Sequence, residues 1–131
     1  MMIPVSAETE ITPRASNYFH SFSTYIYKTS ATKFQVWFDV VAVTGMDKLG
    51  VSEIRIQRSS DNSNWSTMFT CYPEYYPQML DYNTAEHGSY VPYTGSTGYY
   101  YRALVVFYAK NSSGTGKLSR YTQTVYLSPT N

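Results

Sequence analysis

Charge is scarce in this chain. Lys and Arg number ten and Asp and Glu nine, together 15% of 131 residues, against about 25% in an average soluble domain. The formal net charge is +1, and the basic residues form no run, so the electrostatic footprint of a nucleic-acid binder is missing. Cysteine is limited to Cys71. That excludes an internal disulfide and leaves either a thiol packed on a strand or a bridge to another chain. Histidine is limited to His20 and His87, which are far apart in sequence. Glu86 and His87 are neighbours, but successive residues of a strand point to opposite faces. Metal-ligand spacing, a nucleophile elbow and a cofactor motif are all lacking. No apolar run reaches membrane-spanning length. These absences argue against an enzyme, a cofactor, a nucleic-acid partner and a membrane span.

What is abundant is tyrosine. Aromatic residues are 18% of the chain, and 15 of them are Tyr. With plentiful Ser and Thr, the surface draws its solubility from hydroxyls more than from charges. This suits an exported β-protein better than a cytosolic helical enzyme, in which Glu, Lys, Ala and Leu would dominate. The start, Met1-Met2-Ile3-Pro4-Val5-Ser6-Ala7, ends in Val-x-Ala and is similar to the tail of a signal peptide cut before Glu8. Residues 1–7 are therefore expected to be a signal-peptide remnant and residues 8–16 a polar linker. The expected location is secreted, in a compartment where disulfides are not routine.

Period-two patterning predicts an all-β domain over residues 17–128. The clearest strand is Tyr99 to Asn111, with Tyr101, Ala103, Val105, Phe107 and Ala109 on one face. It is too apolar for an edge and belongs in mid-sheet. Residues 33–44 alternate equally well, with Phe34, Val36, Phe38, Val40 and Ala42 inward and Trp37 outward. A first strand is expected over 17–28, a third over 51–59 and a fourth from Trp65 to Cys71. A short edge strand is expected from Gly88 to Thr94, and a last strand over 118–127. Gly45–Gly50 reads as a loop, and Ser59–Asn64 as a polar turn with the Trp65 indole folded back over it. Residues 72–87 break the rhythm with two prolines and read as a long connection holding one weak helical turn near Gln78–Tyr82. Seven strands so spaced predict a seven-stranded antiparallel β-sandwich.

The run from Tyr101 to Asn111 resembles the penultimate strand of a fibronectin type III or immunoglobulin-like domain. The resemblance implies that fold, with Tyr101, or else Tyr99, in the tyrosine-corner role. It implies no function. Thr44-Gly45-Met46-Asp47-Lys48-Leu49-Gly50, followed by Ser52-x-Ile54-x-Ile56 and by Tyr100-Tyr101-x-Ala103-x-Val105-x-Phe107-Tyr108-Ala109, also resembles an uncharacterised family. Its members are small exported proteins of Gram-positive, often intestinal, bacteria. That resemblance implies secretion and no known activity.

The expected function is that of a secreted, non-catalytic binding or adhesion module whose ligand is a glycan or a protein at a cell surface. The candidate ligand-binding residues are Tyr72, Tyr75, Tyr76, Tyr82, Glu74, Asp81 and His87, within a Tyr-rich segment that runs on to Tyr90. Tyr offers a rigid face and a hydroxyl at low entropic cost, and the acids and the imidazole add hydrogen-bonding groups. The same rings would also serve simply to cover the core. Trp37 with outward Tyr100 and Tyr108 forms a second candidate patch. A structural or assembly subunit at the cell surface is the alternative. A small hydrolase using Glu74 and Asp81 is a third reading, which requires a pocket with converging acids.

Overall fold

Alternating apolar and polar residues favour extended chain through most of the sequence. The computed structural model, which describes residues 17–129, forms one antiparallel sheet of seven strands with no α-helix among them. The strands are β1 (Phe19–Lys28), β2 (Lys33–Ser59), β3 (Ser66–Cys71), β4 (Leu80–Thr94), β5 (Tyr99–Asn111), β6 (Gly114–Tyr121) and β7 (Val125–Leu127). The sheet order is β1-β2-β5-β6; β3 and β4 also pair with β2, and β7 pairs with β5. The expected signal-peptide remnant (1–7) and linker (8–16) lie outside the described residues.

Several boundaries differ from the sequence expectation. The loop foreseen at Gly45–Gly50 is part of β2, which runs unbroken for 27 residues. Its ladder to β4 shifts register between Val41 and Met46, and its ladder to β5 shifts between Val51 and Glu53. The glycines thus mark a bend and a close approach within a strand. Gly50 sits between Leu80 of β4 and Tyr108 of β5. It has φ +151, and a Cβ there would collide with the Met79 carbonyl oxygen. The long connection 72–87 is likewise shorter than foreseen. Its prolines are confined to a turn and to the 3-10 turn Pro77–Met79, and β4 already begins at Leu80. Pro92 does occupy a strand that pairs with β2 alone, where a missing N–H is tolerated. The last strand is divided in two at Thr122. That residue turns both its N–H and its Oγ1 to the backbone of Ala103.

The core lies on the concave side of a curled sheet. Phe34, Val36, Phe38 and Val40 of β2 are buried, as are Tyr101, Ala103, Val105, Phe107 and Ala109 of β5. In the ladder, β2 meets β5 only from Lys48 onward. Yet the Phe34 ring stands 5.2 Å from the Tyr101 ring, and Phe22 of β1 stands 5.5 Å from Phe107. The first half of β2 therefore folds over the face of β5, and apolar rings fill the space between them. The buried Tyr101 hydroxyl accepts a hydrogen bond from the Ser96 N–H at 2.8 Å, which ties β5 to the turn before it. Gly95 makes room for the ring, since a Cβ there would lie 2.7 Å from Tyr101 Cζ.

These contacts distinguish two glycines. Gly50→Ala forces a side chain into a strained φ and against a carbonyl, and should destabilise by at least about 2 kcal/mol. At Gly45 a Cβ meets nothing within 4 Å, so Gly45→Ala should stay within about 0.5 kcal/mol. Urea midpoints of the two variants check the contrast.

Candidate functional site

Because Phe34, Val36, Phe38 and Val40 point inward, their neighbours on β2 must point out. The registers of β1 and β4 on either side then set out a grid. Tyr27, Gln35 and Pro92 form one row; Tyr25, Trp37 and Tyr90 the next; Ser23, Asp39 and Gly88 the third; Ser21, Val41 and Glu86 the fourth. The second row is a run of stacked rings. Trp37 lies 4.6 Å from Tyr90 and 6.1 Å from Tyr25, with interplanar angles of 29° and 3°. These separations fall in the range of offset aromatic pairs. Tyr25 and Tyr90 are 47% and 37% exposed. The indole N–H donates to Gln35 Oε1 at 2.9 Å, which helps fix the ring.

Beside this row the surface dips. A shallow depression of about 140 Å³ is lined by Ser21, Phe22, Ser23, Asp39 and Val41. Gly88 leaves space for the Asp39 carboxylate, since a Cβ there would come within 2.8 Å of Oδ1. Among the described residues no hydrogen bond or ion pair occupies that carboxylate. The arrangement sets flat aromatic surface next to hydroxyls and an open acceptor.

The residues singled out in the sequence are divided among several environments. Tyr72 and Tyr75 are exposed, as is Glu74 between them, on a turn closed by the Tyr75 and Tyr76 N–H groups donating to the Tyr72 carbonyl. Tyr76 is half-buried, edge-on to Phe69 and hydrogen-bonded to the Cys71 thiol. Tyr82 is exposed on β4, with Lys48 Nζ 5.9 Å from its ring centre. Asp81 and His87 are brought together, with Nδ1 3.8 Å from Oδ2. The opposite ring nitrogen of His87 donates to the Gln78 carbonyl at 2.7 Å. No hydrogen bond joins Glu74 to Asp81 among the described residues. The second patch is regrouped: Trp37 meets Tyr25 and Tyr90, whereas Tyr100 packs on Tyr126 and Tyr108 lies near Lys117. Alternation alone marked Trp37 as outward. Its partners required the register of strands distant in sequence.

The polar turn after β2 is organised by Asp61. Its carboxylate accepts from the Ser63 and Asn64 N–H groups, the Asn64 amide and the Ser59 hydroxyl. These bonds hold its pKa well below the usual carboxylate range. The turn uses both oxygens within its own loop.

No family model matches the chain, and no curated protein matches it.

Cys71 is 1% exposed, and burial pushes its thiol up to about 11, with the Tyr76 hydrogen bond opposing. The neutral thiol is the form that folding favours. Its contribution is complete below the ordinary value near 9.0 and lost as pH rises toward 11. Native protein at pH 8 should therefore resist iodoacetamide, while protein in urea is labelled fully. Urea midpoints should fall between pH 9 and 11 in wild type more than in Cys71→Ala.

Proposed function

We propose that this chain is a secreted, non-catalytic binding module that holds a glycan on the outer face of β1, β2 and β4. The observation that carries the reading is the Tyr25–Trp37–Tyr90 row beside the depression at Ser21, Ser23 and Asp39. A sugar ring presents C–H groups on its faces and hydroxyls on its rim. The aromatic row suits the first, and the serines with Asp39 suit the second. Tyr90 links this surface to the Tyr-rich segment, whose exposed members Tyr72, Tyr75 and Tyr82 offer further contact area. Rigid aromatic anchors of this kind bind at low entropic cost. Secretion is supported by the charge-poor, hydroxyl-rich composition.

The architecture belongs to the same proposal. The curled sheet is a fibronectin type III or immunoglobulin-like sandwich with its layers joined through the bend in β2. One layer is β1, the first half of β2 and most of β4. The other is β3, the second half of β2, β5, β6 and β7. This assignment is supported by the ladder order and by the Tyr101 hydroxyl bonded to the Ser96 N–H, which is the tyrosine-corner arrangement.

A glycan array probed with wild type and with Trp37→Ala tests the reading. Wild type should bind a defined set of glycans, and Trp37→Ala should lose at least about 2 kcal/mol, roughly 30-fold in affinity. Tyr72→Ala/Tyr75→Ala should lose less than that. Undiminished binding by Trp37→Ala removes the assigned surface, and loss confined to the Tyr72/Tyr75 variant moves the site to the turn.

A further inference from the structure

The outer face on the other half of the sheet has the opposite electrostatic character. The grid of β1, β2 and β4 carries Asp39 and Glu86 and no cation. Across the second half of β2, β5 and β6, the outward positions include Lys48, Arg55, Arg102, Lys110 and Lys117. The carboxylate among them, Glu53, is already joined to Arg55.

Arg102 is the focus of this face. Its guanidinium carbon lies 4.3 Å from the centre of the Trp65 ring and 4.0 Å from the centre of the Tyr121 ring. Its Nε donates to Gln57 Oε1 at 2.8 Å. Gln57 faces it directly in the ladder and reaches Thr67 Oγ1 on its other side. No carboxylate pairs with Arg102 among the described residues, and its two Nη groups donate no hydrogen bond to them.

We propose that Arg102, clasped by Trp65 and Tyr121, is a receptor for a carboxylate on an acidic segment of a protein partner. This site is separate from the proposed glycan surface and does not depend on it. Two rings and Gln57 hold the guanidinium in one orientation, so little side-chain entropy remains to be lost on binding. The rings also displace water from its faces, which strengthens its field. Its Nη edge is a planar pair of donors that matches the two oxygens of a carboxylate. The acceptors nearby, Gln57 Oε1 and Glu53, are engaged, so the face offers donors and calls for an acceptor-rich ligand. Trp, Tyr and Arg are the residue types that dominate binding energy at protein interfaces. The excess of cations on this face, with Lys48, Lys110 and Lys117 further along the same strands and Arg55 paired with Glu53, provides charge complementarity to an acidic partner.

The test uses Trp65 as reporter. The chain has two tryptophans, so Trp37→Phe leaves Trp65 as the sole indole and also removes the Trp37 surface from the readout. In this background a capped hexaglutamate peptide should shift Trp65 emission saturably, and the affinity should fall as salt is raised. Hexaglutamine should give no shift. Arg102→Gln should weaken hexaglutamate by at least about tenfold, while Arg120→Gln should leave it unchanged. Arg102→Lys, which keeps the charge but lacks the fork, should bind more weakly than the parent. Circular dichroism of each variant verifies the sheet. Equal binding by Arg102→Gln or Arg102→Lys, absence of a response to hexaglutamate, or tighter binding of trigalacturonate than of the peptide overturns the proposal.

Discussion

Backbone hydrogen bonding to β2 is the constraint on which the rest of the molecule depends. Strands β1, β3, β4 and β5 all take their ladders from it. A strand that long cannot remain straight and still bury both of its halves, because a twisted sheet must curl before its apolar face can meet other apolar surface. The register shifts beyond Val41 and beyond Val51 supply that curl. They set Phe34 against Tyr101, although the ladder itself reaches Tyr101 only from Arg58. Gly50 permits the close approach of Met79 that the bend requires.

The curl also determines what the surface can do. Every inward residue on β1, β2 and β4 commits its neighbours to the convex side, so the aromatic row at Tyr25, Trp37 and Tyr90 follows from the core opposite it. On the far half, the burial of Tyr101, Ala103 and Val105 likewise commits Arg102 outward. In a chain with few charges, such placement matters more than their number: Asp39 and Glu86 stand on the aromatic grid, which has no cation, while the outer face of β5 and the second half of β2 carries more cations than acids. The two faces are therefore suited to different ligand chemistry while sharing one core.

Much of this was legible in local pattern. The alternation at Phe34–Ala42 and at Tyr101–Ala109 identified the buried faces, and all of those residues are buried. The Ser59–Asn64 turn was legible as well, but the Trp65 indole, expected over that turn, meets Arg102 of β5, and β3 begins one residue later, at Ser66. Less legible were elements whose local chemistry and tertiary role disagree. Gly45 to Gly50 has the composition of a loop but is held extended by β4 and β5 on its two sides. Leu80 to His87 lacks clean alternation, yet much of it pairs with β2. Of the candidate site residues, exposure separates Tyr72, Tyr75 and Tyr82 from half-buried Tyr76 and His87, a distinction that tyrosine content cannot make.

By itself the sequence determined that the chain is extended and antiparallel, which residues of the two strongest strands are buried, and that no internal disulfide can brace the fold. These follow from side-chain period and composition, which are local properties. Only the tertiary structure decided that Trp37 stands between Tyr25 and Tyr90, that Arg102 lies between Trp65 and Tyr121, and that Asp39 opens beside Gly88. Each of these groups joins residues from different strands. Their meeting depends on cross-strand register, and a shift of one residue would turn each side chain to the other face.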